Sequence, residues 1–200
     1  MATGAILLLL LGVGCRPRTT GPASTVSERW SQGPVRWLLL PEERREARRI
    51  RDLGDLEAFV EDFWARRGEI ESFMSKRVVA ADRLYGDEET RGALTDRGGA
   101  LILLGPPDRM RVAQITVPDR FGRGGRGSRT RRLPSEHWIY ERESLRPALE
   151  TLLRERGVEG DVELVFLREG DRTRLVEGRE IMALAARSWI EEPDPSDTDP

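Results

Sequence analysis

Apolar side chains recur at helical spacing through the first half of the chain. Leu56, Phe59, Val60, Phe63 and Trp64 fall at i, i+3, i+4, i+7 and i+8, which is one face of an amphipathic helix. Ile70, Phe73, Met74, Val78, Ala81 and Tyr85 continue the logic in a further helix, after a break at Gly68. An earlier helix is expected over residues 42–53, opened by Pro41 with Glu42 and Glu43 in its first turn. Gly54 breaks that helix and Asp55 is placed to cap the next. The aromatic stripes read as core rather than as a cofactor box, because each is what a helix needs to dock on its neighbours.

The pattern changes at Gly92. Ala100-Leu101-Ile102-Leu103-Leu104 is a short continuous apolar run bounded by glycine and proline, and is expected as a buried strand. Met110, Val112 and Ile115 alternate as a second strand. Residues 117–134 read as a loop, residues 136–141 as a strand and residues 144–156 as a helix. Residues 162–167 and 173–176 pair as a hairpin around Glu169-Gly170-Asp171, and a last amphipathic helix covers residues 180–190. Helices first and mostly antiparallel strands after them predict an α+β domain, with the N-terminal helices packed against the sheet.

Composition adds tails to that domain. Hydrophobic residues make up 38% and charged residues 34% of the 200, enough for one core, and the net charge of -2 describes no general polyanion binder. Lys76 is the only lysine. The Pro-, Gly-, Ser- and Thr-rich residues 16–34 read as a flexible tether, residues 35–190 as the domain, and the acidic residues 191–200 as a disordered tail.

The one cysteine, Cys15, follows the apolar run Ala5-Ile6-Leu7-Leu8-Leu9-Leu10-Leu11-Gly12-Val13-Gly14. Such a run is too short to span a bilayer, which takes about 20 apolar residues. Residues 1–15 read as a lipoprotein-type signal peptide with Cys15 as lipid acceptor. This expectation places the chain at the cell envelope, with the membrane as its first partner. Arg16, rather than an aspartate, follows the cysteine and favours the outer membrane.

The stretch from Gly92 through Thr95-Asp96-Arg97-Gly98 and the apolar run to Gly105-Pro106-Pro107-Asp108 resembles the signature of the bacterial GWxTD domain family. Glu61-Asp62-Phe63-Trp64-Ala65-Arg66-Arg67 resembles that family's Phe-Trp-x-x-Arg helix, and Glu136-His137-Trp138-Ile139-Tyr140 its Trp-x-Tyr strand. The similarity spans residues 35–176. Ala93 stands where the family carries tryptophan, so an indole contact there is either lost or supplied from elsewhere. The resemblance implies an exported or lipoprotein-like bacterial protein and no particular reaction.

Chemistry is sparse. Asp96 and Arg97 together suit a polar ligand, but Thr95 and Asp96 are also the residue types that cap a turn. Two prolines in the Gly105–Asp108 turn lack the N–H donors of a phosphate nest. The cations Arg120, Arg123, Arg126, Arg129, Arg131 and Arg132 punctuate a glycine-rich stretch. It reads first as a solvated loop, second as a contact for anionic lipid or glycan, and last as a nucleic-acid binder. His137 is the one histidine, so a zinc site is not supported, and no cofactor is expected. Asp82, Asp87, Glu88 and Glu89 match no calcium loop. Three readings follow. The first is a non-enzymatic binding or assembly module at the envelope, with a protein partner. The second is an envelope enzyme using Asp96 and Asp108 on either side of the apolar run. The third is an RNA-binding protein acting through the Arg/Gly stretch.

Overall fold

The computed structural model describes residues 26–190, apart from Glu69, Glu88 and residues 119–129. In chain order these form α1 (Val26–Gln32), a 3-10 turn (Pro34–Trp37), α2 (Pro41–Ala47), α3 (Leu53–Ala65) and α4 (Ile70–Tyr85). A second 3-10 turn (Gly92–Leu94) leads into α5 (Asp96–Leu104), then β1 (Arg109–Pro118) and β2 (Thr130–Tyr140). A third 3-10 turn (Arg142–Ser144), α6 (Pro147–Glu155), β3 (Val162–Glu169), β4 (Arg172–Glu177) and α7 (Arg179–Arg187) complete the order. The sheet is antiparallel throughout, β1-β2-β3-β4, so the expected α+β class holds.

The α3 stripe is the clearest agreement with the pattern. Leu56, Phe59 and Phe63 are buried, with Val60 and Trp64 packed beside them. Burying one such side chain favours the fold by about 1.5–3 kcal/mol. In α4 the stripe holds at Ile70, Met74 and Ala81, whereas Phe73 is exposed.

Four expectations are corrected. Residues 100–104 are the C-terminal half of α5, not a strand. Thr95 caps that helix by accepting from the Gly98 N–H at 3.1 Å, and Gly105 ends it at φ +87°. Every residue from Gly98 to Leu103 is buried, so the helix shows no polar face and its period is invisible. Next, α2 stops at Ala47, and α3 is capped by Asp52, which accepts from the Asp55 N–H at 2.9 Å; Gly54 lies inside the helix. Third, the tether reading fails over residues 26–34. Helix α1 carries Trp30 edge-on to Phe59 and Phe63, with ring centroids 5.7 and 5.2 Å apart, and Ser27 donates to the Ala47 carbonyl. Finally, the expected loop at 117–134 is strand at both ends. Residues 114–118 and 130–134 pair only with each other, as a two-stranded ribbon beyond the four-stranded part of the sheet.

One face of the sheet joins the helical core through Trp138, Tyr140, Leu164, Phe166 and Leu175. Ser135, His137, Val165 and Leu167 point to the other face and are buried as well. In the N-terminal helices, Glu43 and Arg67 form an ion pair at 2.6 Å with both side chains almost fully buried. Arg67 also donates to the carbonyls of Phe63 and Leu38, which ties α3 to the segment before α2.

Candidate functional site

The residues of the Gly92–Asp108 stretch build a frame around α5. Gly92 packs against the Ala81 backbone and Gly98 against the Gly92 backbone. Gly99 lies under the Trp37 indole, where a Cβ would sit 2.5 Å from the ring. The Trp37 Nε1 donates to the Ala93 carbonyl at 2.8 Å. An indole therefore does reach this corner, from residue 37 rather than 93.

Each polar side chain of the stretch has a structural partner. Asp96 accepts from the Leu175 N–H of β4 at 2.6 Å. Arg97 pairs with Glu136 at 3.1 Å and lies over the Tyr85 ring, 4.9 Å from its centroid. Pro106 and Pro107 carry the chain from α5 to β1. Asp108 then accepts from the Glu141 N–H and from the Ser144 hydroxyl, both at 2.8 Å. The Glu141 N–H and then the Ser144 hydroxyl hold the Asp108 carboxyl below the usual carboxylate range. Burial pushes the Tyr140 phenol well above its ordinary value, and its O–H donates to the Gly105 carbonyl at 3.2 Å. Asp96 and Asp108 thus stand at opposite ends of a helix, each occupied by hydrogen bonds. They do not face one another across a strand, because the apolar run between them is a helix.

Beside the Gly105–Asp108 turn lies a cavity of about 90 Å³. Arg77, Arg146, Ser144 and Ser188 supply its polar lining, and Leu104 and Leu145 are among its apolar walls. Arg77 donates through Nη1 to the carbonyls of Ile102 and Leu103, at 2.8 and 3.3 Å, at the negative end of α5. Burial lowers the Arg77 pKa from its ordinary value. Arg146 donates to the Ser188 carbonyl at 3.0 Å. Its guanidinium lies 3.5 Å from the Trp189 ring centroid, and that of Arg77 lies 5.8 Å from it. Two cations that line a half-apolar hollow therefore also flank one indole.

On the other face of the sheet, the Ser135 Oγ lies 3.0 Å from the His137 Nε2, and the His137 Nδ1 lies 2.7 Å from the Glu163 Oε1. Arg111 donates to the same Glu163 oxygen at 2.9 Å. The hydrogen bond with His137, then Arg111, holds Glu163 below the usual carboxylate range. The order of groups is that of a nucleophile, a base and an orienting acid. Exposure decides against that role. Ser135 is 0% exposed, on a strand between Ala113 and Leu167, so no acyl carbon reaches its oxygen. The chain of bonds satisfies polar groups that burial would otherwise leave costly.

Cys15 and Arg120, Arg123, Arg126 and Arg129 lie outside the described residues, as do the tail and residues 16–25 of the tether. Arg131 pairs with Glu169 at 2.6 Å, and Arg132 is exposed on the ribbon. Among the described residues, no His, Cys, Asp or Glu group is placed to hold a metal, and no helix is long and apolar enough to cross a membrane. Sequence reasoning missed the cavity and the Ser135–His137–Glu163 chain. A signal existed for the first: Arg77 falls three residues after Met74 and four before Ala81, on the buried stripe of α4. No family model, curated protein or solved structure matches this chain.

Proposed function

We propose that this chain is an exported bacterial envelope protein of the GWxTD-like kind. It is anchored by a lipid on Cys15, and its folded body is a non-enzymatic binding or assembly module. The leader with its lone cysteine supports the anchor. One observation carries the binding reading: the polar side chains of the motif are spent on positioning α5 and its exit turn, and that frame borders a hollow lined by two guanidinium groups. The motif is then a scaffold, and the hollow is where a ligand or a partner's side chain enters.

A second reading has its own support in Arg132, exposed on a ribbon that leads into the Arg/Gly stretch, where anionic lipid headgroups or glycan would be met. Fractionation tests the anchored reading. The chain should sediment with membranes, resist release by high salt, and leave them in non-ionic detergent. Release by salt alone would favour the ribbon as the attachment, and a chain found wholly in the cytosol would reject both.

A further inference from the structure

We infer that the hollow between α4, the end of α5, the start of α6 and the end of α7 receives a carboxylate carried on a short hydrocarbon. The inference deepens the binding reading above and rests on it. The first argument is charge. Among the described residues, Arg77 and Arg146 both line the hollow, and no aspartate or glutamate does. Arg77 sits half-buried, bonded to main-chain carbonyls, with no carboxylate among the described residues within ion-pair distance. Taking a guanidinium out of water is costly, and helix-end carbonyls offset only part of the cost. A ligand anion supplies the rest. The Asp108 carboxylate, which bonds to Ser144 of the lining, is itself held by the Ser144 hydroxyl and the Glu141 N–H.

The second argument is the positive end of α6. This nine-residue helix starts at Pro147 with Arg146 as its N-cap and no side-chain cap, and Ser144, Leu145, Arg146 and Leu149 from that region line the hollow. Its unpaired N–H groups add to the positive field of the two arginines.

The third argument is shape. Leu103, Leu104, Leu145 and Leu149 form the apolar side of a space of about 90 Å³. A phosphate would press solvated oxygens against these leucines, whereas a carboxylate has one polar end, two in-plane oxygens suited to a guanidinium fork, and an apolar remainder. Ser144 and Ser188 complete the polar part of the lining.

The test uses the full chain, purified from whichever cell fraction holds it, so that its outcome is independent of the anchor. Isovalerate, its neutral analogue isovaleramide, and inorganic phosphate are titrated while the indole N–H resonances of the five tryptophans are followed. The Trp189 signal is the one lost in Trp189→Phe. The inference expects a saturable shift of that signal with isovalerate, little response to the amide or to phosphate, and at least a tenfold loss of affinity in Arg146→Gln. If Arg146→Gln fails to fold, the contrast between acid and amide in the unaltered chain decides. No saturable response to isovalerate, equal binding of the amide, or tighter binding of phosphate would overturn it. Such a failure leaves the anchored reading standing, because that reading is judged by fractionation.

Discussion

The Asp96 carboxylate accepts a hydrogen bond from the Leu175 N–H at 2.6 Å, across 79 residues of sequence. Through it, the first turn of α5 is clipped to β4, and the motif helix is set against the far side of the sheet. A hydrogen bond to a charged group is worth about 1.5–3 kcal/mol. Asp96→Ala should therefore lower the unfolding free energy in urea by about 2 kcal/mol. Asp96→Asn keeps an acceptor oxygen and should lose less. Equal losses in the two variants would contradict this role.

Ala93 is 0% exposed, and its carbonyl is already held by Trp37. Restoring the indole that the resembled family carries there, as Ala93→Trp, forces a large side chain into a filled corner. Overpacking of this kind costs about 1–3 kcal/mol, and thermal unfolding should shift downward accordingly. Trp37→Phe keeps a ring over Gly99 but removes the donor, at a cost of about 1 kcal/mol. A stabilised Ala93→Trp chain would mean that the corner holds unfilled space.

The legibility of the fold tracks how polar the back of each element is. Phe59 and Phe63 were visible because Glu57, Glu61 and Asp62 lie on the opposite side of α3 and are exposed. Helix α5 has no such contrast, since Ala100, Leu101, Ile102 and Leu103 are all buried, and a helix without a wet side looks like a strand. Its ends were nonetheless written in Thr95 and Gly105, a cap and a left-handed stop. Helix α1 was hidden among Ser, Gly and Pro, with Trp30 as its one strong anchor. The hollow depends on Arg77, Arg146 and Ser188 meeting from three distant elements, and no local pattern encodes such a meeting.

Ser135, His137 and Glu163 stand in the order of a hydrolytic relay, but the serine oxygen is inaccessible. A fluorophosphonate probe should therefore leave the folded chain unlabelled, as it leaves Ser135→Ala. Labelling located on Ser135 by peptide mass would overturn this assignment and revive an acyl-transfer activity.

Asp108 and Glu163 both have folded-state pKa values held below the usual carboxylate value of about 4. A depressed carboxylate contributes stability that is present above its unfolded pKa and is lost as pH falls through the folded one. Unfolding free energy should therefore decline from about pH 4 downward, where the unfolded carboxylates begin to take up protons. Asp108→Asn and Glu163→Gln should each flatten that decline, with little change in slope near neutral pH. An unchanged acid limb in both variants would contradict the hydrogen bonds that hold them.

The central claim, that this body is displayed from a membrane by its cysteine, is tested most directly by metabolic labelling with an alkyne analogue of palmitate in a bacterium that processes lipoproteins. The account predicts label on the unaltered chain in the membrane pellet and none on Cys15→Ala. An unlabelled chain that retains residues 1–15, or equal label on both chains, would contradict it.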